Sequence, residues 1–278
     1  MARRIDDRRF AAGCRPGACP TYPIHCGGPN ATTHGSTLDD AVNYRNNLYQ
    51  NLGGTSSGVL ARLVSSLNVT SFINLVMLSR FNGANENGTL NPFFLPPNAT
   101  RDSLFGNTEA FSGLANVFPS FKLTGLDSAA KYNLTFYASR LSAGDNRETG
   151  YMVQGDNSGF TTLNPADNVT NSAMVVGITP TAAREITVSI APTANNNNLY
   201  HFTYLGVLRV DAVLPPPELK PPVFADGRIA LDWTGNGNLE WSTSLSGPWT
   251  PITPPPPPPY SEEILPGQSR YFRLLANP

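Results

Sequence analysis

Between residues 119 and 154 apolar and polar positions alternate more clearly than anywhere else in the chain. Tyr132, Leu134, Phe136 and Ala138 are apolar, Asn133, Thr135 and Ser139 between them are polar, and Tyr137 is the one large exception. A repeat of two marks a strand with one face in a core and the other toward water. The same alternation returns at 185–190, where Ile186, Val188 and Ile190 interleave with Glu185, Thr187 and Ser189. Two runs, 71–81 (SFINLVMLSRF) and 201–213, are apolar on both sides and predict central strands. Further strands are expected at 149–154 and 172–178.

The segments between these runs are turn chemistry: GDNSG at 155–159, NPADN at 164–168 and TANNNN at 193–198. Short strands separated by such turns predict an all-β, antiparallel, jelly-roll-like β-sandwich. The run L-T-G-L-D-x-x-x-x-Y from Leu123 to Tyr132 has the spacing of a tyrosine corner, whose phenol bonds back to the crossing loop. A long polar loop is expected over 82–103, broken by Pro96 and Pro97. Helices are predicted only near the N-terminus, at 39–53 and 57–67. In the second, Leu60, Leu63, Val64 and Leu67 fall at i, i+3, i+4 and i+7.

Composition divides the chain into four parts. Residues 1–34 are rich in Arg and hold all three cysteines, which predicts a disordered or non-native leader. Residues 35–213 form the sandwich, and 214–222 (LPPPELKPP) a semi-rigid polyproline spacer. Residues 223–278 form a small immunoglobulin-like or fibronectin-like β domain, in which Trp233 and Trp241 fill the core. The leader has a charged start but no apolar stretch after it, so the N-terminus is read as truncated or mis-set.

Only 14% of the 278 residues are charged, and the formal net charge is −1. That balance argues against a nucleic-acid partner, which calls for a basic surplus. No apolar run is long enough for a membrane-spanning helix, so no membrane insertion is expected. Six N-x-S/T sequons, at Asn30, Asn68, Asn87, Asn98, Asn133 and Asn168, follow from a composition rich in Asn and Thr.

Several constellations bear on chemistry. Gly54-Thr55-Ser56-Ser57-Gly58 satisfies G-x-S-x-G, but no buried strand precedes Ser56, no βα units surround it, and His201 is the only downstream histidine. A Gly/Ser turn explains the same residues, and an esterase using Ser56 is kept only as an alternative to a non-enzymatic protein. Cys14, Cys19 and Cys26, with His25 and His34, have C-x4-C-x6-C spacing, unlike a paired zinc knuckle.

The loop at 140–149 gathers Arg140, Asp145, Asn146, Arg147 and Glu148, with Tyr151 just beyond. It reads either as a polar ligand site at a sandwich end or as an ion-pair knot that fixes a turn, and the knot is preferred. Asp145, Asp156 and Asp167, each followed by Asn, offer hard oxygen ligands on loops and are candidates for a structural Ca²⁺ without EF-hand spacing. No other cofactor is expected.

At LTGLDSAAKYNLTFYASR, DNRETGY, LNPADN, NNNN and HFTYLGVL the chain resembles a galactose-binding-like β-sandwich module of large secreted and surface proteins of environmental bacteria. The resemblance covers about residues 40–213. The tail, IALDWTGNGNLEWSTSLSGPWT to RYFRL, looks like the short repeat that follows such modules. It implies a secreted or cell-surface location and a non-catalytic role, accessory to polysaccharide- or ester-degrading systems, with a polysaccharide or cell-surface glycan as partner. A purely structural or adhesive surface repeat is the alternative.

Overall fold

The computed structural model describes residues 21–27, 46–49, 58–66, 69–90, 97–235 and 237–276. The chain forms two compact units, one spanning Pro20–Val213 and one containing Leu214–Pro278.

The strands of the larger unit are, in chain order, β1 (Thr21–Gly27), β2 (Asn46–Tyr49), β3 (Val59–Leu60), β4 (Asn74–Ser79), β5 (Gly83–Asn85), β6 (Ser103–Gly106) and β7 (Ser120–Thr124). They continue with β8 (Lys131–Tyr137), β9 (Thr149–Gln154), β10 (Ser158–Leu163), β11 (Ala173–Ile178), β12 (Ile186–Pro192), β13 (Thr203–Leu205) and β14 (Val207–Val213). Among the described residues a single short helix, α1 (Pro97–Arg101), precedes β6. A five-stranded sheet runs β11-β8-β14-β1-β2 and a six-stranded sheet β10-β9-β12-β7-β4-β3, with a small third sheet β13-β6-β5. The pairs are antiparallel apart from β1 with β2.

The fold is therefore an all-β sandwich, and its core is the space between the two large sheets. Tyr132, Leu134 and Phe136 of β8 face inward beside Val210 and Leu208 of β14. Phe121 and Leu123 of β7, Val188 of β12 and Tyr151 of β9 come from the other sheet. Phe136 and Tyr151 stack across the interior at 4.3 Å and 11°. The tyrosine corner closes as expected, with the Asp127 N–H donating to the Tyr132 hydroxyl at 2.8 Å.

Several expectations need correction. Residues 21–27, assigned to the leader, form β1, between β14 and β2. Tyr22, Ile24 and Cys26 supply its buried apolar face. Residues 46–49 of the first predicted helix are strand β2, and the rest of 39–53 lies outside the described residues. Over 58–66 the chain is extended rather than helical, because Asn46 takes the backbone groups that a helix would use. Its carboxamide accepts from the Val64 N–H at 2.8 Å and donates to the Val64 carbonyl at 2.7 Å.

Asn133, Thr135 and Ser139, expected to face water, are buried. On that side of β8, Tyr137 packs with Ala99 of α1 and Val207, so the five-stranded sheet is partly covered on its outer face. The predicted strand at 201–213 breaks at Gly206, whose N–H donates to the Tyr137 carbonyl and whose carbonyl accepts from the Cys26 N–H. A Cβ there would lie 2.9 Å from the Asp102 carbonyl oxygen. The polar loop at 82–103 also contains β5 and α1.

The smaller unit contains β15 (Glu218–Leu219), β16 (Val223–Ala225), β17 (Arg228–Leu231), β18 (Trp233–Thr234), β19 (Gly237–Ser242), β20 (Thr250–Pro251), β21 (Tyr260–Glu263) and β22 (Tyr271–Ala276). Leu231, Trp233 and Leu239 form its core, with Leu219 against them. The supposed spacer is thus part of this unit, since β15 pairs with β18 and Lys220 reaches Asp232 at 2.6 Å. Trp233 fills the core as predicted. Trp241 does not; it carries the Arg270 guanidinium 4.4 Å from its ring centroid, as Trp249 carries Arg273 at 4.5 Å.

Candidate functional site

The loop at 140–149 joins β8 of one sheet to β9 of the other, and Arg147 is its hub. Its Nε donates to Asp145 Oδ1 at 2.6 Å and its Nη1 to the Tyr204 hydroxyl at 2.6 Å. The guanidinium sits 5.7 Å from the Phe202 ring centroid and 5.9 Å from that of Tyr204. Phe202 in turn meets Phe105 and Phe111 edge to face at 5.3 and 4.8 Å. Burial opposes the charge on Arg147, but Asp145 and Tyr204 together outweigh it and raise its pKa. The Arg147 hydrogen bond lowers the pKa of Asp145, as does the Asn198 amide that also donates to it.

The asparagine run after β12 holds this loop. Asn197 exchanges two bonds with Asn146, accepting from its N–H at 2.7 Å and donating its own N–H to the Asn146 carbonyl at 3.0 Å. The Asn146 carboxamide oxygen accepts from the Glu148 N–H two residues on, the Asx-turn bond that short amide side chains favour. Glu148 Oε1 accepts from the Thr193 hydroxyl at 2.5 Å and from the Asn195 amide at 3.0 Å. Arg140 donates its N–H to the Pro165 carbonyl, and its guanidinium turns onto the carbonyl of Leu141.

Tyr151, named with this loop, is a core residue. Its ring is fully buried against Phe136 and its hydroxyl donates to the Tyr204 carbonyl at 2.6 Å. It presents nothing to a ligand.

The calcium candidates serve separate turns. The Asp145 carboxylate is engaged by Arg147 and Asn198. Asp167 Oδ1 accepts from the Ser142 N–H at 2.7 Å. The N–H of Asp156 donates to the Thr179 carbonyl, and the carboxamide of neighbouring Asn157 bridges Thr179 and Gly177. Among the described residues no group of three or more His, Cys, Asp and Glu could hold a metal ion. His25 and Cys26 are consecutive strand residues and so point to opposite faces of the sheet. Burial pushes the Cys26 thiol up and the His25 imidazole down. Cys14, Cys19, His34 and Ser56 lie outside the described residues.

Sequence reasoning missed the outer face of the six-stranded sheet. One register row crosses five strands as Phe160, Met152, Ser189, Ser120 and Ser79. At strand spacing this row is about 19 Å long. Phe160 is 58% exposed and Met152 44%. The far edge of the Phe160 ring rests over Gly150, where a Cβ would lie 2.9 Å from it. Thr187 and Lys122 form part of the next row, and Lys122 is paired with Glu185 at 2.8 Å. The face thus combines an exposed ring, a thioether and a line of hydroxyls, and its one lysine has a carboxylate partner.

No family model matches this chain, and no curated protein matches it. Among solved structures it is similar to one of the plant peptide RALF23 in complex with FER and LLG2, at a TM-score of 0.43 and 11% identity, covering 69% of this chain and 48% of that one. It is also similar to the ANXUR1 extracellular domain from Arabidopsis thaliana, at a TM-score of 0.35 and 12% identity, covering 52% of this chain and 50% of that one. The chain spans about half the length of these structures. These are plant proteins, not bacterial modules. No helix among the described residues is long and apolar enough to cross a membrane.

Proposed function

We propose that this protein is a non-catalytic, secreted or cell-surface module that holds a neutral polysaccharide on the outer face of its six-stranded sheet. The observation that supports this reading is the row Phe160, Met152, Ser189, Ser120 and Ser79. Sugar rings offer apolar C–H faces, which pack on aromatic rings, and hydroxyl edges, which exchange hydrogen bonds with serine. A row without an ionised side chain suits a ligand without charge. A sheet face is also rigid, so little ordering entropy opposes binding. The loop at 140–149 is structural in this reading, because the side chains of Asp145, Arg147 and Glu148 already have partners within the protein.

The test is affinity electrophoresis of the full chain through gels containing neutral polysaccharides, supported by a glycan array. Retardation is expected, and Phe160→Ala should weaken it about tenfold, or 1.4 kcal/mol, at unchanged melting temperature. If no polysaccharide retards the protein, or Phe160→Ala binds like the parent, the reading fails. The first outcome would favour a purely structural or adhesive repeat.

A further inference from the structure

Of the six N-x-S/T sequons, Asn133-Leu134-Thr135 and Asn168-Val169-Thr170 lie where the fold has no room for a sugar. Asn168 is 3% exposed and both of its amide hydrogens are used. Nδ2 donates to the Ala138 carbonyl at 2.8 Å and to the Asn171 carbonyl at 2.9 Å, while Oδ1 accepts from the Asn171 N–H at 2.9 Å. Asn133 is 7% exposed on β8, opposite Asp211 in register. Its Oδ1 accepts from the Gly177 N–H at 2.9 Å, at the irregularity in β11. Asn87, by contrast, stands exposed on a loop.

N-glycosylation replaces one Nδ2 hydrogen with C1 of the sugar. The new N–C bond forms as the C–O bond to the lipid pyrophosphate carrier breaks, and the displaced proton leaves with that carrier. At Asn168 this would remove one of the two hydrogen bonds that Nδ2 donates to the Ala138 and Asn171 carbonyls and put a bulky, hydrated group at a side chain that is 3% exposed. At Asn133, 7% exposed on the covered outer face of the sheet, it would push a sugar against the groups that bury the side chain and disturb the bond from the Gly177 N–H. Transfer acts on the extended chain during translocation, before burial can protect either asparagine.

We infer that this fold is incompatible with N-glycans at Asn133 and Asn168, and that the protein matures by a route that does not expose its unfolded chain to an oligosaccharyltransferase. The inference rests on the fold and is independent of what the outer face binds. Both sequons can be removed gently. Thr170 is exposed, so Thr170→Ala touches nothing in the core. The Thr135 hydroxyl is buried without a hydrogen-bond partner among the described residues, so Thr135→Val keeps the shape and removes an unpaired polar group.

The full chain, fused to a cleavable secretory leader, is expressed in eukaryotic cells beside the Thr135→Val/Thr170→Ala double variant. Both chains are also made without glycosylation in bacteria, where the double variant should melt at or slightly above the parent, because Thr135→Val removes the unpaired hydroxyl. Intracellular retention of the parent, with glycan on the Asn133 or Asn168 peptides, is expected. The double variant should be secreted folded at several-fold higher yield. Secretion of the parent at the double variant's yield, with either asparagine glycosylated or both skipped, overturns the inference. So does a double variant retained as strongly as the parent.

Discussion

The loop at 140–149 and the outer face of the six-stranded sheet hold opposite kinds of polarity. The loop carries two arginines, an aspartate and a glutamate; Asp145, Arg147 and Glu148 are bonded to side chains elsewhere in the fold, and the Arg140 guanidinium to the neighbouring Leu141 carbonyl. The sheet face carries one ring, one thioether and three serines in a row, and its exposed members meet solvent. A dense charge cluster therefore does not mark a binding surface here. A hydrogen bond made within the fold stabilises the fold and leaves that atom nothing to offer a ligand.

The sharpest way to break this contrast is Arg147→Ala. It strands the Tyr204 hydroxyl and leaves the Asp145 carboxylate with Asn198 alone, and should cost about 2–3 kcal/mol of stability by denaturant titration. Polysaccharide retardation of the folded fraction should stay unchanged; weakened retardation would place the ligand at the loop. Phe160→Ala is the mirror experiment, with the tenfold loss of affinity given above and no loss of stability. Next in size is Tyr132→Phe, which removes the bond to the Asp127 N–H and should cost about 1 kcal/mol without touching either region.

His25 supplies a smaller, pH-dependent effect. Burial lowers its pKa from 6.5, while nearby Asp102 pulls the other way and Arg101 adds to the lowering. Between the folded value and 6.5 the unfolded chain binds more protons than the native one, so stability rises with pH across that window. Its contribution is complete above 6.5 and is lost as the pH falls below it. Melting temperature measured from pH 7.5 to 4.5 should decline more steeply for the parent than for His25→Gln. The smallest expected effect is that of EDTA. The oxygens of Asp145 and Asp167 already serve protein donors, so the melting temperature should not move; a drop would show that these turns hold Ca²⁺.

Much of the sandwich was legible locally. Tyr132, Leu134 and Phe136 alternate as an inward face must, and the spacing from Leu123 to Tyr132 announced the corner. Other parts were hidden because their cause lies far away in the chain. The helix expected over 57–67 is lost because Asn46, 18 residues earlier, binds both backbone groups of Val64. The wet face expected at Asn133 and Thr135 is covered by elements that the period-two pattern cannot see. Trp241 lies outside the small core, with the Arg270 guanidinium on its ring. At the candidate sites, the charge cluster was visible from residue types alone. The role of the asparagine run was not, since Asn197 meets Asn146 only after β9 to β12 have folded.

By itself the sequence determined the local preferences: which stretches are strands, which side of each is oily, and where turns break them, since period and turn chemistry act over a few residues. Only the tertiary structure decided which polar groups remain available to solvent. Strand order and register set the partners of each side chain, and they turned the most charged loop into an internal clamp while leaving Phe160, Met152 and a line of serines open on the sheet.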